Sequence, residues 1–85
     1  MSDYVRTALL LCLHEIIDVH PSIHVVRAAR EIRDAIDQIM SDLNLLADII
    51  DDLLDLIRGS SMLHHVTTQL RHLAHEVYTA QRLGW

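Results

Sequence analysis

The chain has few of the residues that cross-link, stiffen or interrupt a small protein. Its 85 residues include one cysteine, one proline, two glycines, three aromatic residues and no lysine or phenylalanine. Because Cys12 has no second cysteine to pair with, the sequence excludes an intrachain disulfide framework and a zinc site built from several cysteines. We expect Cys12 to act as a small buried apolar residue and not as a nucleophile.

Long hydrophobic runs and clusters of bases are also missing. The longest uninterrupted apolar run covers residues 8–13, whereas a membrane-spanning helix needs about 20 residues. His14 and Glu15 follow it directly, and no small-residue cleavage site of a signal peptide is present. A net charge of −5, with histidine neutral, disfavours a nucleic-acid surface. The sequence therefore predicts a cytoplasmic protein that binds neither membranes nor nucleic acids.

Apolar residues, in contrast, are abundant and form 51% of the chain. A chain of this length is one domain at most, which we place at residues 1–85. Small domains have a large surface for their volume, so they cannot hide this much apolar area on their own. The composition therefore favours assembly with another chain.

The middle of the chain carries ten apolar residues at alternating spacings of four and three. An average spacing of 3.5 residues is typical of a helix that keeps one face against a partner helix. No glycine or proline interrupts residues 22–58, so we expect one helix about 55 Å long. The predicted dimer seam consists of Val25, Ala29, Ile32, Ile36, Ile39, Leu43, Leu46, Ile50, Leu53 and Ile57.

Two turn signals divide the chain into three predicted helices, at about 3–19, 22–58 and 62–83. Pro21 ends the first helix, with a proline kink inside one longer helix as the alternative, and Gly59 with the serines after it ends the second. Ser41 could cap a separate helix, but the unbroken spacing favours one long helix. The predicted fold is all-α, with the short helices folded back on the long one and a second chain completing the bundle.

Charge predicts how the two long helices pair. Residues 22–40 have three arginines and three acids, whereas residues 41–58 have five aspartates and one arginine, a net charge of −4. Antiparallel pairing separates the two acidic halves, although each exposed charge pair contributes little. We therefore expect an antiparallel homodimer.

Seven histidines suggest metal binding or a response to pH. His65, His72 and His75 share one face of the third helix with Glu76, and such ligands can hold zinc or nickel if they converge. Because this face lies opposite the helix's apolar face, a solvated face is the simpler interpretation. Alternatively, protonation of the four histidines of the third helix near the acidic half of the long helix would strengthen packing at mildly acidic pH.

Residues 71–79 resemble the phospho-accepting box of sensor histidine kinases. The residues that fit are His75, Glu76, Val77 and Thr79. Tyr78 and Ala80 stand where that box has arginine and proline. The resemblance implies a phosphotransfer role for His75.

Surplus apolar residues beside the predicted seam indicate a surface for another protein. We assign this role to Leu10, Leu11, Ile17 and Leu45. No group of residues predicts catalysis or a cofactor. The sequence thus favours a small non-catalytic interaction module, acting as an adaptor, a chaperone-like protein or an inhibitory regulator. Its groove would receive an amphipathic helix from a target.

Overall fold

The computed structural model describes residues 3–84, which form an all-helical structure without strands. Within these residues, no helix is both long and apolar enough to cross a membrane. The elements are α1 (Asp3–Val19), α2 (Ile23–Asp34), α3 (Ile36–Met40), α4 (Leu43–Leu56), a 3₁₀ turn (Ser61–Leu63) and α5 (His64–Arg82).

The turns at Pro21 and Gly59 are where the sequence predicts them. The first predicted helix matches α1, and the backbone N–H of Ser22 donates a hydrogen bond to Nδ1 of His20 in the connection that follows. Gly59 adopts φ +83°, the left-handed conformation that favours glycine after a helix. The third predicted helix corresponds to the 3₁₀ turn and α5 together.

The continuous helix predicted over residues 22–58 is wrong, because the backbone leaves helical geometry twice. Ala35 separates α2 from α3 with φ −101° and ψ 14°. Asp42 has an extended β-type backbone, at φ −133° and ψ 107°, and one of its carboxylate oxygens accepts from the N–H groups of Asn44 (3.0 Å) and Leu45 (3.2 Å). A side-chain cap of this kind replaces the bonds that a continuous helix would make.

The four longer helices run alternately up and down. The Arg6 guanidinium lies 3.3 Å from the Asp37 carboxylate, which brings the start of α1 to α3. The Gln81 side-chain amide donates to the Asn44 side chain at 2.8 Å, which brings the end of α5 to the start of α4. Because α3 and the start of α4 adjoin, α1 and α5 are antiparallel neighbours, and α2 and α4 flank them.

A single chain buries the residues of the predicted dimer seam. Ile32 and Leu43 are half-buried against the core. The other eight are buried within the chain: Val25, Ala29, Ile36, Ile39, Leu46, Ile50, Leu53 and Ile57. The break at residues 35–42 lets α4 turn back, so each half of the predicted long helix packs inside one bundle. The apolar spacing therefore gives no support to the predicted homodimer, because these residues are covered without a second chain.

Candidate functional site

A shallow groove of about 720 Å³ lies between α1 and α5. Its floor is apolar, because Ala8, Cys12 and Val66 are buried beneath it. Tyr4 and Leu11 line it with large side chains that are 55% and 62% exposed. The remaining lining residues are Asp3, Thr7, Glu15, His65 and Gln69.

The spacing along α1 explains why the groove forms there. Tyr4, Ala8, Leu11 and Glu15 are separated by four, three and four residues, so they share one side of the helix. The small side chain of Ala8 lies between two large ones and leaves a depression. Across the groove, Val66 of α5 is short and packs into the core, so α5 does not fill the depression.

Acidic side chains line both ends of the groove. Asp3 and Glu15 are twelve residues apart on α1, which corresponds to about 18 Å along a helix. An oxygen of the Glu15 carboxylate lies 3.3 Å from Nε2 of His65, and the two side chains are 49% and 66% exposed. A polar contact this exposed contributes little to stability, so the Glu15 carboxylate can exchange it for contacts with a partner.

Cys12 makes the floor of the groove chemically inert. Burial, together with the smaller effect of the negative charge of Glu15, raises the pKa of its thiol from 9.0 to about 11. The thiolate is the reactive form of cysteine. At neutral pH the Cys12 side chain is therefore a protonated, apolar part of the floor.

A second depression, of about 740 Å³, lies at the turn between α4 and α5. Its lining includes Asp51, Asp55, Arg58 and Arg71, so it carries charges of both signs. The Arg58 guanidinium already lies 2.8 Å from the Asp55 carboxylate. Of the residues that the structure describes, none in this lining is a large exposed apolar residue, which makes the depression less suited to docking another protein than the α1/α5 groove.

The predicted metal ligands do not come together. His65, His72, His75 and Glu76 are all exposed along α5, and His65 contacts Glu15 of α1. Across residues 3–84, no three histidine, cysteine, aspartate or glutamate side chains are arranged to hold a metal ion. His75, the residue of the predicted phosphotransfer box, is likewise exposed on α5.

Of the four residues predicted to bind a partner, Leu11 alone lines the groove. Leu10 and Ile17 are half-buried against the core, and Leu45 is 40% exposed on α4, away from the groove. Sequence reasoning missed Tyr4 and the contribution of α5. The sequence of α1 does indicate a depression there, since the small residues Thr7 and Ala8 separate two large residues on one helical face.

Comparison with known proteins gives no match: no family model, no curated protein and no solved structure is significantly similar to this chain.

Proposed function

We propose that this protein is a non-catalytic interaction module whose α1/α5 groove binds an amphipathic helix of another protein. The observation that carries the proposal is the pair of exposed side chains, Tyr4 and Leu11, above an apolar floor. A contiguous apolar surface of this kind is typical of a site for a protein partner.

The shape of the groove favours a helix as the bound element. Two antiparallel helices leave a furrow between them, and the side chains of a third helix can pack into it. The distance of about 18 Å between its acidic ends corresponds to a little over three helical turns. A helix of that length presents apolar residues to Leu11 and Tyr4 at spacings of three and four.

The acidic residues on α1 favour a different protein over a second copy of this chain as the occupant of the groove. In a two-fold pair, α1 of one copy would run antiparallel to α1 of the other, centred near residue 9. That arrangement places Asp3 opposite Glu15 at both ends of the contact. Like charges facing each other oppose association. We therefore favour a different protein as the occupant.

A peptide-display selection tests the proposal. A library of helical peptides is selected on the wild-type protein, and each recovered peptide is measured by fluorescence anisotropy against the wild type, Leu11→Asp and Leu83→Asp. Burying a leucine contributes about 1.5–3 kcal/mol, so Leu11→Asp should weaken binding at least about tenfold. Leu83 is 74% exposed and does not line the groove, so Leu83→Asp is the matched control and should bind normally.

Three results contradict the proposal. The first is a selection whose peptides bind the wild type and Leu11→Asp equally, and the second is a selection that yields no binder. The third is self-association of the wild type that Leu11→Asp abolishes, because the groove would then be an interface between two copies of this chain.

A further inference from the structure

The charged groups lining the groove indicate the chemistry of the partner. Resting on the proposed function, we infer that the docked helix is cationic, with an arginine or lysine near each end of its apolar stripe. The lining contains two acids, Asp3 and Glu15, and among residues 3–84 no arginine or lysine lines the groove. The chain as a whole carries a net charge of −5.

The positions of the two acids predict the spacing of the basic residues on the partner helix. Asp3 and Glu15 lie at opposite ends of the groove, and Tyr4 and Leu11 lie between them. A helix lying along the groove meets both acids when its bases are about 11 residues apart, which is three helical turns. Complementary charges at the ends speed association and select the partner, while apolar contacts in the middle hold it.

His65 links binding of a cationic helix to pH. Its Nε2 lies 3.3 Å from the Glu15 carboxylate. The titratable groups that share the groove with it are Asp3, Tyr4, Cys12 and Glu15 from α1, while His64 is its neighbour on α5 and the 3₁₀ turn adds no ionisable side chain.

Histidine side chains gain a proton between about pH 8 and 5. A protonated His65 pairs with Glu15 and competes with the partner's base for the same carboxylate. A cationic helix should therefore bind more weakly in mild acid, whereas a neutral apolar helix should not respond to His65.

The experiment uses the peptides recovered by display, which contain no histidine by design of the library. Arginine and lysine should be enriched over acids at the ends of their apolar stripes. Replacing those bases with glutamine should weaken binding to the wild type about fivefold, a loss expected for two exposed charge pairs. The Asp3→Asn and Glu15→Gln double variant should bind both peptides equally.

The pH arm compares affinities at about pH 7.5 and 5.5, the range in which histidine titrates. The wild type should lose affinity for the cationic peptide at the lower pH, and His65→Gln should keep it. His72→Gln is the matched control, since His72 is exposed on the same helix but does not line the groove, and it should behave as the wild type does.

The outcomes separate the two proposals. If the selected peptides carry no excess of bases, or if their glutamine versions bind as tightly, the cationic partner is wrong, while sensitivity to Leu11→Asp keeps the docking groove. If affinity falls equally at low pH in His65→Gln and the wild type, the competition at Glu15 is wrong. If no selected peptide depends on Leu11, the proposed function itself is wrong.

Discussion

At the scale of single residues, the environment of Cys12 determines its chemistry. The side chain is 4% exposed beneath the groove, and burial together with the charge of Glu15 raises its pKa to about 11. Tyr78 provides a surface counterpart, since its hydroxyl donates to Asp51 at 2.8 Å and this hydrogen bond raises the pKa of the phenol. In both cases a neighbouring carboxylate favours the protonated form of the side chain.

The raised pKa of Cys12 predicts a loss of stability in alkali. Between its ordinary pKa of 9.0 and about 11, the thiol ionises in the unfolded chain but stays protonated in the folded one. The free energy of unfolding is therefore unaffected by this group below pH 9 and falls as pH rises through that interval. The difference of two units between the pKa of the folded and the unfolded chain corresponds to a loss of about 3 kcal/mol in the free energy of unfolding.

Urea unfolding at several pH values, compared between the wild type and Cys12→Ala, measures this effect. Subtracting the free energies of unfolding of the two proteins removes the contribution of tyrosine ionisation, which both proteins share. The free energy of unfolding of the wild type should fall more steeply above pH 9 than that of the variant. Parallel curves for the two proteins would show that the Cys12 thiol ionises as freely in the fold as in the unfolded chain.

At the scale of helices, Asp42 caps α4 where the long helix of the sequence prediction is broken. The spacing of the ten apolar residues correctly marked a buried face, because it reports which side chains point to a core. It carries no information on whether the backbone between them is continuous. Residues 35–42 form a corner without glycine or proline, and the capping bonds of Asp42 appear only once the backbone has left the helix.

The cap gives the second prediction on stability. Asp42→Ala removes the acceptor for two backbone N–H groups of α4 and should lower the free energy of unfolding by about 1 kcal/mol. Asp42→Asn keeps a side-chain oxygen and should restore most of that loss. Ser60→Ala is a suitable control, because Ser60 holds the equivalent position before the 3₁₀ turn without a side-chain capping bond.

Urea titrations of the three variants at neutral pH check the role of Asp42. Equal losses in Asp42→Ala and Ser60→Ala would mean that backbone propensity, and not the hydrogen bonds of Asp42, holds the corner. A larger loss in Asp42→Asn than in Asp42→Ala would also contradict the capping role.

At the scale of the whole molecule, reversal of the chain at α3 determines both the core and the groove. The all-helical class, the bounds of α1 and the position of Leu11 on an exposed face could be predicted from the sequence. The pairing of α1 with α5 could not, because it depends on α4 turning back along the bundle. That pairing creates the groove from side chains 50 or more residues apart, such as Cys12 and Val66.

Closure of the bundle within one chain leads to an expectation for the oligomeric state. The eight buried residues of the predicted seam are already packed inside the chain, and they add no apolar surface for a second copy. A homodimer that used the exposed residues of the groove would set Asp3 against Glu15 in two-fold pairing, which opposes association. We therefore expect sedimentation velocity at micromolar concentrations to give the mass of one chain, 9.7 kDa, at every concentration.

Leu11→Asp and Leu45→Asp make the mass measurement decisive. Both leucines are exposed, but Leu11 lines the groove and Leu45 does not. If the wild type sediments as a dimer, loss of the dimer in Leu11→Asp alone would place the two-fold contact in the groove and contradict docking of a different protein there. Loss of the dimer in Leu45→Asp alone would place the two-fold contact on α4 and leave the groove free for the helix of another protein. A constant mass of one chain in all three proteins would mean that no second copy covers the apolar surface at Tyr4 and Leu11, as docking of a different protein there requires.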